Sequence, residues 1–152
     1  MFEDQIALVI NSNNQNQGNL YVGGYDSLEQ LGEKRIGAVL SAVWIGDFKP
    51  DANLKHLIIE ADDCSSYDMS QHFEKAINFI NENLQTTNVL VHCAAGISRS
   101  VCLIIAYMIK QHGMKPQEAL IQIRKTRPWA GPNQGFQEQL EKYYAELVEK
   151  KQ

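Results

Sequence analysis

Cysteine is scarce in this chain and comes in an odd number: Cys64, Cys93 and Cys102. Three thiols make no disulfide framework, and such usage fits a reducing compartment. Basic residues are outnumbered, with 14 Lys and Arg against 18 Asp and Glu, a formal charge of −4. That balance lacks the footprint of a nucleic-acid binder. It also repels phosphorylated ligands at long range, so any attraction to them is local. No run of about 18 apolar residues free of charge is present, which excludes a membrane-spanning helix. His56, His72 and His112 stand singly, so no metal-ligand cluster is visible. There is no GxxxxGK[ST] loop for nucleotide hydrolysis of the Walker type. The start, Met1-Phe2-Glu3-Asp4-Gln5, is acidic and lacks the apolar core of a secretory signal. Phe2 is not the Gly of myristoylation, and Glu149-Lys150-Lys151-Gln152 is no prenylation box. The expected location is the cytoplasm or the nucleus.

What is present is an ordinary globular composition, 44% hydrophobic and 21% charged over 152 residues. One domain over residues 1–152 is expected, large enough for a substantial core, and a monomer. One stretch dominates: Val91-His92-Cys93-Ala94-Ala95-Gly96-Ile97-Ser98-Arg99-Ser100. Before it, Asn88-Val89-Leu90-Val91 reads as a buried strand. After it, residues 101–109 are apolar throughout and read as a buried helix. A loop of small residues between strand and helix lets backbone N–H groups turn inward as a nest for an anion. The following helix points its positive end at the same spot. Arg99 offers a planar fork for two phosphate oxygens. Cys93 lies at the floor, where the positive field favours thiolate over thiol and so a nucleophile. A small-residue turn with an inert buried cysteine is the plainer alternative, but such a turn has no need of an Arg at a set offset from a thiol.

Along the chain, residues 6–10, 19–22, 37–43 and 54–60 read as strands. Residues 11–19 are nearly all Asn, Gln and Ser and read as a turn or loop. Asp26 or Ser27 is placed to cap a short helix through Lys34. Met69, Phe73, Ala76, Ile77, Ile80 and Leu84 mark an amphipathic helix, with Asp68 as N-cap and Gln71 behind it. Gly113 ends the central helix, and Pro116 opens the next with Ala119, Leu120 and Ile123 inward. Phe136, Leu140, Tyr143 or Tyr144, and Leu147 mark a last helix. Strands alternating with helices argue an α/β architecture.

His92-Cys93, five residues and Arg99-Ser100 resemble the signature of cysteine-dependent protein phosphatases. The form HCAAGISRS resembles the dual-specificity branch. The likeness extends to Tyr21-Val22-Gly23-Gly24, Ile36-Gly37-Ala38-Val39-Leu40-Ser41, the Asp63 segment, Arg127-Pro128 and Pro132-Asn133-Gln134-Gly135-Phe136. It implies a protein tyrosine phosphatase-like fold: a central five-stranded, mostly parallel sheet flanked by helices on both faces, with the thiol loop at the strands' C-terminal edge.

The resemblance also assigns roles. Cys93 is the nucleophile. Ala94, Ala95, Gly96, Ile97, Ser98 and Arg99 hold the phosphate. A leaving oxygen needs a proton, and the register with Phe73 makes Asp63 the donor, with Asp62 the nearest rival and Asp47 a remote one. Ser100 helps the thiolate leave in the second step, or is merely a helix-start hydroxyl. His92 supports the loop from below. Asn133 ties its own loop to the thiol nest, or caps the last helix. No metal or cofactor is required. Cys102 reads as core, and Cys64, beside the acid, as a candidate redox partner of Cys93. The implied substrates are proteins carrying phosphotyrosine, phosphoserine or phosphothreonine. Phosphoinositide and RNA 5′-phosphate hydrolysis are rivals, disfavoured by the uncharged residues 94–98. A phosphate-binding module without turnover is another.

Overall fold

The computed structural model describes residues 6–12, 17–46, 48–49 and 51–151. The acidic start, residues 13–16 of the polar run and Asp47 lie outside the described residues. Five strands form one sheet: β1 (Ala7–Ile10), β2 (Leu20–Gly23), β3 (Ile36–Ser41), β4 (Lys55–Ile58) and β5 (Asn88–His92). Their order is β1-β2-β5-β3-β4. β1 runs antiparallel to β2, and every other neighbouring pair is parallel. Four helices complete the fold: α1 (Phe73–Leu84), α2 (Arg99–His112), α3 (Pro116–Arg124) and α4 (Gln134–Lys150).

β5 lies at the centre because it is apolar on both faces. Val89 and Val91 point into the larger core, with Phe73, Ile104, Ile123 and Phe136 of the four helices. Leu90 points the other way, against Ile6, Ile36 and Val39. That second face is covered by Leu28 and Leu31, in and just after the 3₁₀ turn Tyr25–Gln30. The expected five-stranded, mostly parallel sheet is thus the one observed, with its α-helices gathered on one face and the 3₁₀ turn on the other. Residues 100–109 of α2 are all buried, so the helix has no solvent face along that length. Each buried Leu or Ile there contributes about 1.5–3 kcal/mol. Among the described residues no helix is long and apolar enough to cross a membrane.

The expected helix ends hold in α2, α3 and α4. Gly113 closes α2 in the left-handed region at φ 64°, Pro116 is the first residue of α3, and Asn133 caps α4. Two caps are corrected. Neither Asp26 nor Ser27 caps the 25–30 turn: Gly24 precedes it, and the Ser27 hydroxyl donates back to the Gly24 carbonyl. Asp68 stands before a 3₁₀ turn, Met69–His72, and the α-helix begins only at Phe73. The Asp68 carboxylate accepts from the Ser70 hydroxyl rather than from a helical N–H, and the Gln71 amide donates to the Asp68 carbonyl.

Candidate active site

β5 delivers His92 and Cys93 to the C-terminal edge of the sheet between two clamping neighbours. The Cys93 N–H donates to the Gly23 carbonyl at 3.3 Å, and the Ala42 N–H donates to the His92 carbonyl at 2.8 Å. The thiol is 2% exposed. Its Sγ lies 3.2 Å from the Ser100 Oγ in the first turn of α2, and Ser100 is itself fully buried. Ser98, not Ser100, occupies the N-cap position of α2. The Ser100 hydroxyl therefore faces the sulfur and does not cap the helix.

The loop from Cys93 to Arg99 is shaped by where its carbonyls go. The Cys93 carbonyl accepts from His92 Nδ1 at 3.2 Å. That of Ala94 accepts from the Tyr25 N–H at 3.0 Å. Those of Ala95 and Gly96 accept from Arg127, at 3.0 Å from Nη2 and 2.7 Å from Nε. That of Ile97 accepts from the Gly131 N–H at 2.9 Å, and that of Ser98 from the Cys102 N–H at 2.9 Å. In a trans peptide the N–H of the next residue points opposite to the carbonyl. Six outward carbonyls thus turn the N–H groups of residues 94–99 to the inside. These are the residues assigned to the phosphate, and the inward face is an anion nest at the positive end of α2. Gly96 is required in this turn: it sits at φ +66°. A Cβ there would also come within 2.5 Å of Arg127 Nη2 and 2.6 Å of the Gly23 carbonyl carbon.

Arg99 is anchored from behind, its Nη1 donating to the Ala61 carbonyl at 3.1 Å. Its Nε is buried and has no hydrogen-bond partner among the described residues. A buried guanidinium N–H without a partner is costly, and an oxyanion beside it removes the cost.

Asp63 stands on the loop that begins at that same anchor. Its Oδ1 accepts from the Asn133 Nδ2 at 2.9 Å. Asn133 works in three directions. Its Oδ1 accepts from the Phe136 N–H at 2.9 Å, capping α4. Its backbone N–H donates to the Ser98 Oγ at 3.0 Å. Its amide nitrogen holds the Asp63 carboxylate. Both readings of Asn133, loop tie and helix cap, therefore hold together, and the link to Asp63 is new. Asp62 and Asp63 are both exposed, and of the two Asp63 is the one that Asn133 engages.

His92 is fully buried, and burial pushes its ring down to about 4. A neutral ring has one N–H. The Cys93 carbonyl only accepts, so Nδ1 carries the proton and Nε2 accepts. The Ser41 hydroxyl, 2.6 Å away, then donates to Nε2. Ser41 Oγ in turn accepts from His56 Nε2 at 2.9 Å. The tautomers follow from this network. A directed chain runs from half-buried His56 on β4 through Ser41 on β3 and His92 to the carbonyl of Cys93.

Reasoning from the sequence missed Arg127, Tyr25, Ser41 and His56. Arg127-Pro128 entered only as part of the resemblance and as a chain break. Arg127 is 1% exposed and lies 5.1 Å from the centre of the Trp129 ring. The other two thiols are unlike Cys93. Burial pushes the Cys102 thiol up. Cys64 is exposed, and hydrogen bonds from Ser66 hold it below the ordinary thiol value.

A thiol at the end of a central parallel strand, beneath an N–H nest closed by one Arg, defines the class of cysteine-dependent protein phosphatases. Within it, the chain belongs to the dual-specificity phosphatases: the family "Dual specificity phosphatase, catalytic domain" matches residues 20–146. Dual specificity protein phosphatase 22 of Mus musculus is 38% identical over 129 residues, covering 82% of this chain and 69% of that protein. MAP kinase phosphatase with leucine-rich repeats protein 3 of Dictyostelium discoideum is 41% identical over 137 residues, 84% of this chain. The chain spans only 15% of that larger protein's length. The crystal structure of the Yvh1 phosphatase domain from Chaetomium thermophilum superposes with a TM-score of 0.81. It is 30% identical, with 94% of this chain and 97% of that one covered.

Proposed function

We propose that the chain hydrolyses phosphate monoesters on proteins, at tyrosine and at serine or threonine, in two displacements. In the first, the Cys93 thiolate attacks phosphorus. The bond from phosphorus to the ester oxygen breaks, and Asp63 gives that oxygen its proton. The inward N–H groups of residues 94–99 and the Arg99 fork hold the three remaining oxygens, whose charge peaks in the transition state. In the second, water attacks the phosphocysteine. Asp63 takes a proton from that water, the S–P bond breaks, and the Ser100 hydroxyl donates to the departing thiolate. Orthophosphate and free Cys93 result.

The observation that carries this reading is the orientation of the loop. Every carbonyl from residue 93 to 98 is engaged outside the cradle, while the Arg99 Nε faces no partner among the described residues. A uncharged stretch 94–98 supports a monophosphate ester over a substrate with several phosphates. Three free thiols, one of them the proposed nucleophile, support a reducing location, the cytoplasm or nucleus.

The decisive experiment compares wild type and Cys93→Ser on phosphotyrosine and phosphothreonine peptides and on a phosphoinositide. Cys93→Ser is expected to lose turnover entirely while still binding phosphopeptide. Turnover that survives the substitution ends the nucleophile assignment. A phosphoinositide hydrolysed faster than either peptide moves the substrate class from protein to lipid.

A further inference from the structure

Four large apolar side chains stand in solvent around the cradle: Tyr25 at 43% exposure, Trp44 at 67%, Ile97 at 39% and Trp129 at 41%. Large aromatic groups left in water beside a functional pocket are the mark of a contact surface. Here they form two walls. On the side where the loop begins, the Tyr25 N–H holds the Ala94 carbonyl and its ring lies 6.2 Å from that of His92. The Tyr25 hydroxyl donates to the Trp44 carbonyl at 3.0 Å. Trp44 comes two residues after Ala42, which bonds the His92 carbonyl, so its backbone leaves the same sheet edge as the thiol. On the other side, Ile97 belongs to the cradle itself. Trp129 is fastened next to it, since its ring covers the guanidinium of Arg127 and the Gly131 N–H holds the Ile97 carbonyl.

The exposed charge differs between the two walls: it is acidic beside Tyr25 and beside the Arg99 anchor, and basic just before Trp129, where Arg124 and Lys125 are exposed. Asp26 follows Tyr25, and Glu60 and Asp62 flank Ala61, to which Arg99 is anchored; all three acids are exposed. Of the nearby cations, Arg99 and Arg127 serve the cradle, Arg124 donates through Nε to the Ala130 carbonyl at 2.7 Å, and Lys125 is exposed two residues before Arg127; two exposed cations set against three acids are not a basic cluster. An anionic lipid surface is therefore a poor match, because apolar anchors on membranes work together with basic clusters.

We infer that the two walls select protein segments carrying bulky apolar side chains immediately beside the phosphorylated residue. This rests on the phosphatase reading. It assigns Trp44 and Trp129 to specificity, outside the chemistry: neither side chain has a role in the two displacements.

The test uses three phosphotyrosine peptides that differ only in the residues flanking the phosphotyrosine, Leu, Ala or Glu. Wild type is expected to show kcat/KM about tenfold higher for the Leu peptide than for either the Ala or the Glu peptide. Trp44→Ala is expected to bring the Leu peptide close to the Ala peptide while para-nitrophenyl phosphate, which has no flanks, is turned over at the wild-type rate. Equal kcat/KM for all three peptides, or a Leu preference that survives both Trp44→Ala and Trp129→Ala, overturns the inference. Binding of the same peptides to Cys93→Ser gives the same comparison without turnover. Failure of wild type to hydrolyse para-nitrophenyl phosphate would thus condemn the phosphatase reading, while the peptide ranking on Cys93→Ser still decides the walls. Co-sedimentation with phosphatidylserine vesicles that is lost in Trp44→Ala would make the walls a lipid anchor and also overturn the inference.

Discussion

The guanidinium of Arg127 is 1% exposed and holds two neighbouring carbonyls of the phosphate loop with one rigid fork. Lysine keeps the charge but not the fork. Arg127→Lys is therefore expected to lower kcat/KM on para-nitrophenyl phosphate by about 10–100-fold, the effect of misdirecting oxyanion-type donors. Arg127→Ala leaves both carbonyls without that donor and is expected to cost about 3 kcal/mol as well, from the urea midpoint. Wild-type activity in Arg127→Lys would show that the loop keeps its shape without the fork. At this scale the sequence is legible in one place and opaque in another. Cys93, Arg99 and Ser100 occupy one contiguous stretch, and their side-chain chemistry announces an anion and a nucleophile. Arg127, Tyr25 and Ser41 act on backbone groups or on a ring nitrogen far along the chain. A carbonyl is common to every residue, so no residue type at the receiving end points back to its donor.

Between elements, the important joint is the one between the acid loop and the start of α4. Asn133 grips Asp63. Two residues on, Gly135 packs so closely that a Cβ there would run into the Ser65 carbonyl. Gln139 continues the contact, donating to the Tyr67 carbonyl at 2.8 Å and accepting from the Ser70 N–H at 3.0 Å. Serine is a good N-cap but has no amide to reach Asp63. Asn133→Ser is thus expected to keep stability within about 0.5 kcal/mol of wild type and to lower kcat several-fold with little change in KM. Asn133→Ala is expected to show the same kcat loss plus about 1 kcal/mol of stability. Identical kcat in Asn133→Ser and wild type would leave the amide no part in holding the acid. The helices themselves were legible from apolar spacing, and the ends of α2 and α3 from Gly113 and Pro116. The cap of α1 was not: Asp68 has the right type and place, but Ser70 and Gln71 compete for its oxygens and the chain takes a 3₁₀ turn first.

For the whole molecule, buried histidine sets the response to acid. His92 titrates near 4 in the folded chain, against about 6.5 for an unfolded one. Between those values the unfolded chain binds the proton and the folded one does not, so stability falls as pH falls. Unfolding is unaffected by this group above about 6.5, and by pH 5 it is expected to have removed about 2 kcal/mol. Burial lowers His56 and His72 too, adding loss of the same sign. Urea midpoints at pH 7.5 and 5 test this. His92→Asn is expected to show a smaller drop than wild type, and an equal drop would assign the acid sensitivity elsewhere. The strands were legible at this scale as apolar runs, and their joining into one five-stranded, mostly parallel sheet as what the family resemblance implies. The uneven cover was not, because the small second face is closed by Leu28 and Leu31 in and after a turn too short for helical periodicity to show.

The three sulfurs occupy three different grades of shelter. Cys102 is sealed inside a helix, Cys93 is buried at the end of the central strand, and Cys64 projects into water one position after Asp63. A bulky maleimide dye therefore finds a single exposed attachment point in the unmodified protein. A fluorophore placed there sits beside Asp63, on the loop that Asn133 grips, so its emission becomes a gauge of where that loop is.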